Sequence, residues 1–169
     1  MRIIVKSKML YNLRIKITKI YSALVCGSFS EKKIIELPLK KIIKNSKEHF
    51  VMPSVNGSYA KTIFVPEKIF KTASHNNQTF SLITAKPTTG KTHQIRVHLA
   101  HIGFPIVNDD KYGNREYNAQ IKYLKVARMC LHARSLQFVC PQTNNIINVT
   151  AEYDSDFIKL LSKMEQISG

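Results

Sequence analysis

Acid is in short supply in this chain. Its 169 residues hold 26 Lys and Arg but only 11 Asp and Glu, a formal net charge of +15, and residues 1–30 contain no acid at all. Cysteine is scarcer still, at three residues. Cys26, Cys130 and Cys140 form no Cys-x-x-Cys, and three cysteines at such wide spacings make neither a zinc finger nor a disulfide framework, so a reducing, cytoplasmic setting fits best. Lys or Arg interrupts every apolar stretch before it reaches the roughly 20 residues a membrane span needs, which excludes a membrane-spanning chain. Internal repeats and low-complexity linkers are also lacking. With 44% hydrophobic and 22% charged residues, the composition is that of one globular domain.

The basic residues that remain are concentrated. Twelve of them fall in the first fifty positions, from Arg2 to Lys47, against Glu31, Glu36 and Glu48. A surface of this kind binds polyanions, because each cation that neutralises a phosphate releases a counterion without any sequence-specific contact. Nucleic acid is therefore the expected partner. The acid-free start also has the composition of an organellar presequence.

Local patterning predicts strands over Arg2–Val5, Lys19–Cys26 and Lys33–Leu37, and two more, Lys61–Phe70 and Thr79–Ala85, around an exposed turn at Ser74–Gln78. Asn45–Tyr59 is rich in Asn, Ser, Pro and Gly and reads as a loop or hairpin connection. After Thr92, a potential cap, the apolar residues Ile95, Leu99 and Ile102 fall at helical spacing, and Gly103 and Pro105 end the helix. On that helix His93 and Arg96 share a face beside the buried stripe. Arg96 is thus at a core edge, where a cation requires an anionic partner. Tyr117–Val126 reads as helical, Cys130–Val139 and Ile146–Ala151 as a hairpin, and Asp154 as the cap of a last amphipathic helix carrying Phe157, Leu160, Leu161 and Met164.

Three motifs invite chemistry and are outweighed. Ala85-Lys-Pro-Thr-Thr-Gly-Lys-Thr92 approximates a phosphate-binding P-loop and would suggest a nucleotidase. Against it, Ala85 stands in place of the first Gly, Pro87 removes a backbone donor, and no downstream apolar strand ends in an Asp for magnesium. His93, His98, His101 and His132 lack the Cys, Asp or Glu that would complete a tetrahedral set, so no metal site is expected. Asp109-Asp110 reads as part of a turn between Asn108 and Gly113, since adjacent carboxylates point to different sides.

Taken as one block, Thr89-Gly-Lys-Thr-His-Gln-Ile-Arg-Val-His-Leu-Ala-His-Ile-Gly-Phe-Pro-Ile-Val-Asn-Asp-Asp-Lys-Tyr-Gly113 resembles the signature of the RluA-type RNA pseudouridine synthases. Lys19-Ile-Tyr-Ser-Ala-Leu-Val25, Gly57-Ser-Tyr-Ala-Lys-Thr62 and Leu131-His-Ala-Arg-Ser-Leu-Gln-Phe138 extend the resemblance over nearly the whole chain. Asn114-Arg-Glu-Tyr-Asn118 is most similar to a branch acting on large-subunit ribosomal RNA. Departures occur at Tyr59, where Pro is usual, and at Phe104 and Cys140, where His is common.

The resemblance implies an α+β fold, a mixed and mostly antiparallel sheet with flanking helices, and isomerisation of uridine in 23S-type ribosomal RNA without a cofactor. It implies that Tyr21 packs on an extruded base and that Arg96 pairs with a nucleophilic Asp. Lys91, His93 and Gln94 would meet RNA, and Leu131 would line the apolar floor. The nucleophile of the family belongs to a His-Arg-Leu-Asp motif upstream of the segment like Arg2–Lys8; the only aspartates here are Asp109, Asp110, Asp154 and Asp156. On this resemblance residues 1–169 are the C-terminal part of a catalytic domain, incomplete, without the aspartate motif or an N-terminal RNA-binding domain. Tyr21 and its strand then belong to a site, which argues against the presequence. Activity would need the Asp from another chain or an upstream reading frame. The alternative is a catalytically inactive RNA-binding remnant. Arg96, without that carboxylate, is expected to point toward Tyr21 in an open, wet cleft or on a substitute anion; pairing with Asp109 or Asp110 would count against the incomplete-domain reading.

Overall fold

The computed structural model describes residues 17–45, 48–71, 78–122 and 128–167. The expected strand Arg2–Val5, most of the tract 74–78 and the far end of the expected helix 117–126 lie outside them. Eight strands are described: β1 (Thr18–Cys26), β2 (Lys33–Glu36), β3 (Leu39–Asn45), β4 (Glu48–Pro53), β5 (Lys61–Lys71), β6 (Thr79–Pro87), β7 (Leu131–Val139) and β8 (Ile146–Thr150). The helices are α1 (Gln94–His101), α2 (Arg115–Gln120) and α3 (Ser155–Ile167).

Six strands make one sheet in the order β2-β5-β6-β1-β7-β8, and β3-β4 forms a separate pair. Every described pairing is antiparallel. β1 and β6 are central and carry continuous buried runs, as strands covered on both faces must. Phe29, Phe64, Phe70, Phe80, Ile83, Leu99, Phe157 and Leu160 fill the main core. Alternation along β1 sends Tyr21 and Ser22 to opposite faces. Ser22 meets the Tyr153 hydroxyl at 2.8 Å, and Tyr153 stacks on Phe157 of α3, so α3 lies over the face away from Tyr21.

Two local expectations need correction. Thr92 does not cap α1; the cap is His93, in the left-handed region at φ 53° and with no side-chain bond to the helix. Gln94, the first helical residue, ties down the preceding loop instead, its Oε1 accepting the Lys91 N–H at 2.9 Å. Segment 45–59 is more than a connection, since Glu48–Pro53 pairs with β3 as a true strand. Tertiary partners decide this: Leu39 and Val51 are buried with Ala60 and Val97 in a second small core. The stop of α1 is as expected, with Gly103 at φ +83° and its N–H bonded to the Ala100 carbonyl. Asp154 caps α3 through the Phe157 N–H at 2.9 Å.

Candidate active-site cleft

The end of β6, the start of α1 and the middle of β1 enclose an open cleft of about 360 Å³. Tyr21, Lys91, His93, Gln94, Arg96 and Leu131 all line it, with Lys19, Pro87 and Met129 beside them. Residues separated by more than a hundred positions meet here because β1 pairs with β7 on one side and β6 on the other. Tyr21 lies opposite Ala133 and Ala85, whose small side chains leave its ring room. Burial raises the Tyr21 phenol above its ordinary pKa, so it stays protonated at neutral pH.

Arg96 differs from the expectation. Its Nε donates to Asp109 Oδ2 at 2.7 Å and its Nη2 to Asp109 Oδ1 at 2.6 Å, with Asp110 Oδ1 at 3.2 Å from the same Nη2. The Asp109 side chain is 0% exposed and that of Arg96 13%, whereas Asp110 is 82% exposed. The guanidinium is thus already paired: the expected open, wet Arg96 is not found, and by the criterion set from the sequence this pairing counts against the incomplete-domain reading. A buried cation at a core edge needs a partner, and a nearby turn provides it.

The turn is built for the purpose. Asp109 Oδ1 also accepts the backbone N–H of Lys111 at 2.9 Å and of Tyr112 at 3.0 Å, an Asx-type closure. Burial alone would raise the Asp109 carboxyl, but Arg96 and these two N–H groups outweigh it and hold it below its ordinary value. The hydrogen bonds to Asp109 raise Arg96 in turn. The Tyr112 ring lies 5.0 Å from the guanidinium carbon, and its hydroxyl accepts the Val51 N–H at 2.8 Å and contacts His93 Nδ1 at 3.1 Å. Burial, then the nearby Arg96 and Lys111 charges, lower the His93 pKa, so the imidazole is neutral at neutral pH.

Gln94 faces inward more than outward. Its Oε1 accepts from Thr89 Oγ1 and the Lys91 N–H, and its Nε2 donates to the Lys61 carbonyl and Thr62 Oγ1, all within 3.0 Å. Both donors and both acceptor positions are engaged, which makes it a tie for the loop before α1 and leaves nothing for RNA. His98 is structural too, buried between Thr62 Oγ1 and the Leu37 carbonyl. The sequence reading missed Asp109 and Tyr112. The expectation that adjacent carboxylates point to different sides is not met, since both reach Arg96 Nη2, at 2.6 and 3.2 Å, although only Asp109 is buried. The signal available was an Asp two and three residues before backbone donors in a turn closed by Gly113.

The approximate P-loop is not one in space. β6 is flanked by antiparallel neighbours, whereas a phosphate cradle follows a parallel strand.

A family profile described as RNA pseudouridylate synthase matches residues 6–101. Proteins named ribosomal large subunit pseudouridine synthase C are similar: that of Yersinia pestis is 41% identical over 145 residues, covering 85% of this chain and 43% of that protein. The Pasteurella multocida protein is 36% identical over 151 residues, covering 89% and 44%. The Escherichia coli protein is 36% identical over 149 residues, covering 86% and 44%. The chain therefore spans less than half the length of these curated relatives. Among solved structures, human RNA pseudouridylate synthase domain containing 1 superposes with a TM-score of 0.70 at 23% identity, covering 94% of this chain and 69% of that one. Human RNA pseudouridylate synthase domain containing 4 gives 0.64 at 20%, covering 95% and 66%. At these identities the two structures speak for the fold.

Proposed function

Because the chain belongs to the RNA pseudouridylate synthase family and spans less than half the length of its curated relatives, we propose, against the Arg96–Asp109 pairing, that it is the C-terminal part of a catalytic domain that isomerises uridine in large-subunit ribosomal RNA in the cytoplasm. One observation carries the reading: a tyrosine, an arginine and an apolar floor meet in a cleft edged by lysines. An extruded base needs a wall to stack on and a polar group near the sugar. Tyr21, Leu131 and Met129 offer the wall, Arg96 the polar group, and Lys19 and Lys91 charges for the phosphates on either side.

The reaction breaks the bond between uracil N1 and ribose C1′ and joins C1′ to C5. The C5 hydrogen leaves as a proton and N1 gains one, so the product is an isomer and no cofactor is required. The residues of this chain bind, orient and exclude water; the attacking carboxylate implied by the family resemblance lies outside the 169 residues, on the same polypeptide or on a separate fragment. Without it, positioning remains and chemistry does not.

The test is release of tritium from C5-labelled uridine in ribosomal RNA. The expected result is binding without release by residues 1–169, and release once a segment bearing His-Arg-Leu-Asp is joined or supplied in trans. Release by the short chain would show that its own aspartates do the chemistry. Binding with no release in either case would favour the inactive RNA-binding remnant.

A further inference from the structure

An arginine side chain has five N–H donors. In Arg96 the Nε–H and both Nη2 hydrogens are directed at Asp109 and Asp110, and among the described residues Nη1 has no hydrogen-bond partner. The fork that could grip a carboxylate with two parallel bonds is therefore occupied from below. Asp109 cannot swing away easily, since its Oδ1 also takes the backbone N–H of Lys111 and Tyr112 and its carbonyl takes that of Gly113 at 3.0 Å. The Tyr112 ring covers the guanidinium.

We propose that Asp109 is a positioning residue of the cleft: it holds the inner edge of Arg96 permanently, so that anything bound in the cleft meets Arg96 end-on, through Nη1 alone. The proposal rests on the functional reading above and refines it, replacing a two-oxygen grip on an incoming acceptor by a single directed contact. Asp109 itself touches neither base nor ribose. The pair is also close to neutral, which leaves the attraction of phosphates to Lys19 and Lys91 and gives Arg96 a directional task.

Two effects of opposite sign separate positioning from bulk charge. Removing an acid from so basic a protein strengthens general RNA binding. Releasing Arg96 weakens whatever depends on its aim. Affinity is measured for a stem-loop RNA with one bulged uridine and for the same RNA with an abasic nucleotide there; the ratio of the two Kd values isolates the cleft. Asp109→Asn is expected to cut that ratio about tenfold while the abasic RNA binds as well or better. In an Arg96→Lys background Asp109→Asn should add nothing, and Asp110→Asn, at the exposed position, should change the ratio less than twofold. Should Asp109→Asn fail to fold, Asp109→Glu keeps the charge and moves the carboxylate by one methylene, with the same loss expected.

An unchanged or increased ratio in a folded Asp109 variant, or additive losses in the double variant, would overturn the proposal. A second readout is independent of RNA: the Arg96 Nε–H signal, identified by its loss in Arg96→Lys, should exchange with solvent at least tenfold more slowly in the wild-type protein than in Asp109→Asn. Equal exchange would overturn the proposal as well. If wild-type protein does not distinguish uridine from the abasic site, the functional reading of the cleft fails, and the exchange measurement still decides whether Asp109 holds Arg96.

Discussion

A chain of three side chains runs under the cleft and depends on one proton. Gln94 Nε2 donates to Thr62 Oγ1, the Thr62 hydroxyl donates to His98 Nδ1, and His98 Nε2 donates to the Leu37 carbonyl. This order assigns His98 as the neutral Nε2–H tautomer. Protonating Nδ1 would leave Thr62 facing two donors in a fully buried place. Burial accordingly lowers the His98 pKa, an effect the Leu37 carbonyl only partly opposes. Unfolding returns the imidazole to an ordinary pKa near 6.5, so the unfolded state binds more protons below that pH. The stability contributed by neutral His98 is complete above about pH 6.5 and declines as pH falls toward its folded value. Urea midpoints between pH 7 and pH 5 should fall steadily in the wild-type protein and less steeply in His98→Asn. A residual slope is expected from His93, whose pKa is lowered in the same direction.

The turn that carries Asp109 is an element with little tolerance. A Cβ added at Gly113 would sit 2.2 Å from the Asp109 carbonyl oxygen, a backbone atom that cannot move without opening the turn. Gly113→Ala should cost about 2–3 kcal/mol, as forced overpacking does, read as a lower urea midpoint, and should loosen Arg96 together with the fold. Elements of this kind explain what was legible beforehand. β1, β5, β6, β7, β8 and α3 announce themselves by apolar patterning and turn residues, signals contained in the local chain. β4 does not, because Glu48–Pro53 is a strand by virtue of its pairing with β3 and the Val51 N–H given to Tyr112. The cleft was legible where a residue type matched a motif, as at Tyr21, Arg96, Lys91 and Leu131. Asp109 was not, because its importance lies in a contact made thirteen residues from its partner.

At the scale of the whole molecule, charge governs encounter and geometry governs chemistry. Affinity for ribosomal RNA should fall steeply with salt, log Kd rising linearly with log salt concentration, and Lys19→Gln with Lys91→Gln should reduce that slope by about two phosphate contacts' worth, roughly 1.5 to 2. A titration at four salt concentrations checks this; an unchanged slope would place the phosphates elsewhere. The same molecule has an order of assembly written into its topology. β1 is made before both of the strands it lies between, Thr79–Pro87 and Leu131–Val139. Until Leu131–Val139 has been made, one long edge of an apolar strand has no partner, and unpaired edges of that kind recruit other chains. Over that interval the net charge of +15 works against association, because like-charged nascent copies repel one another.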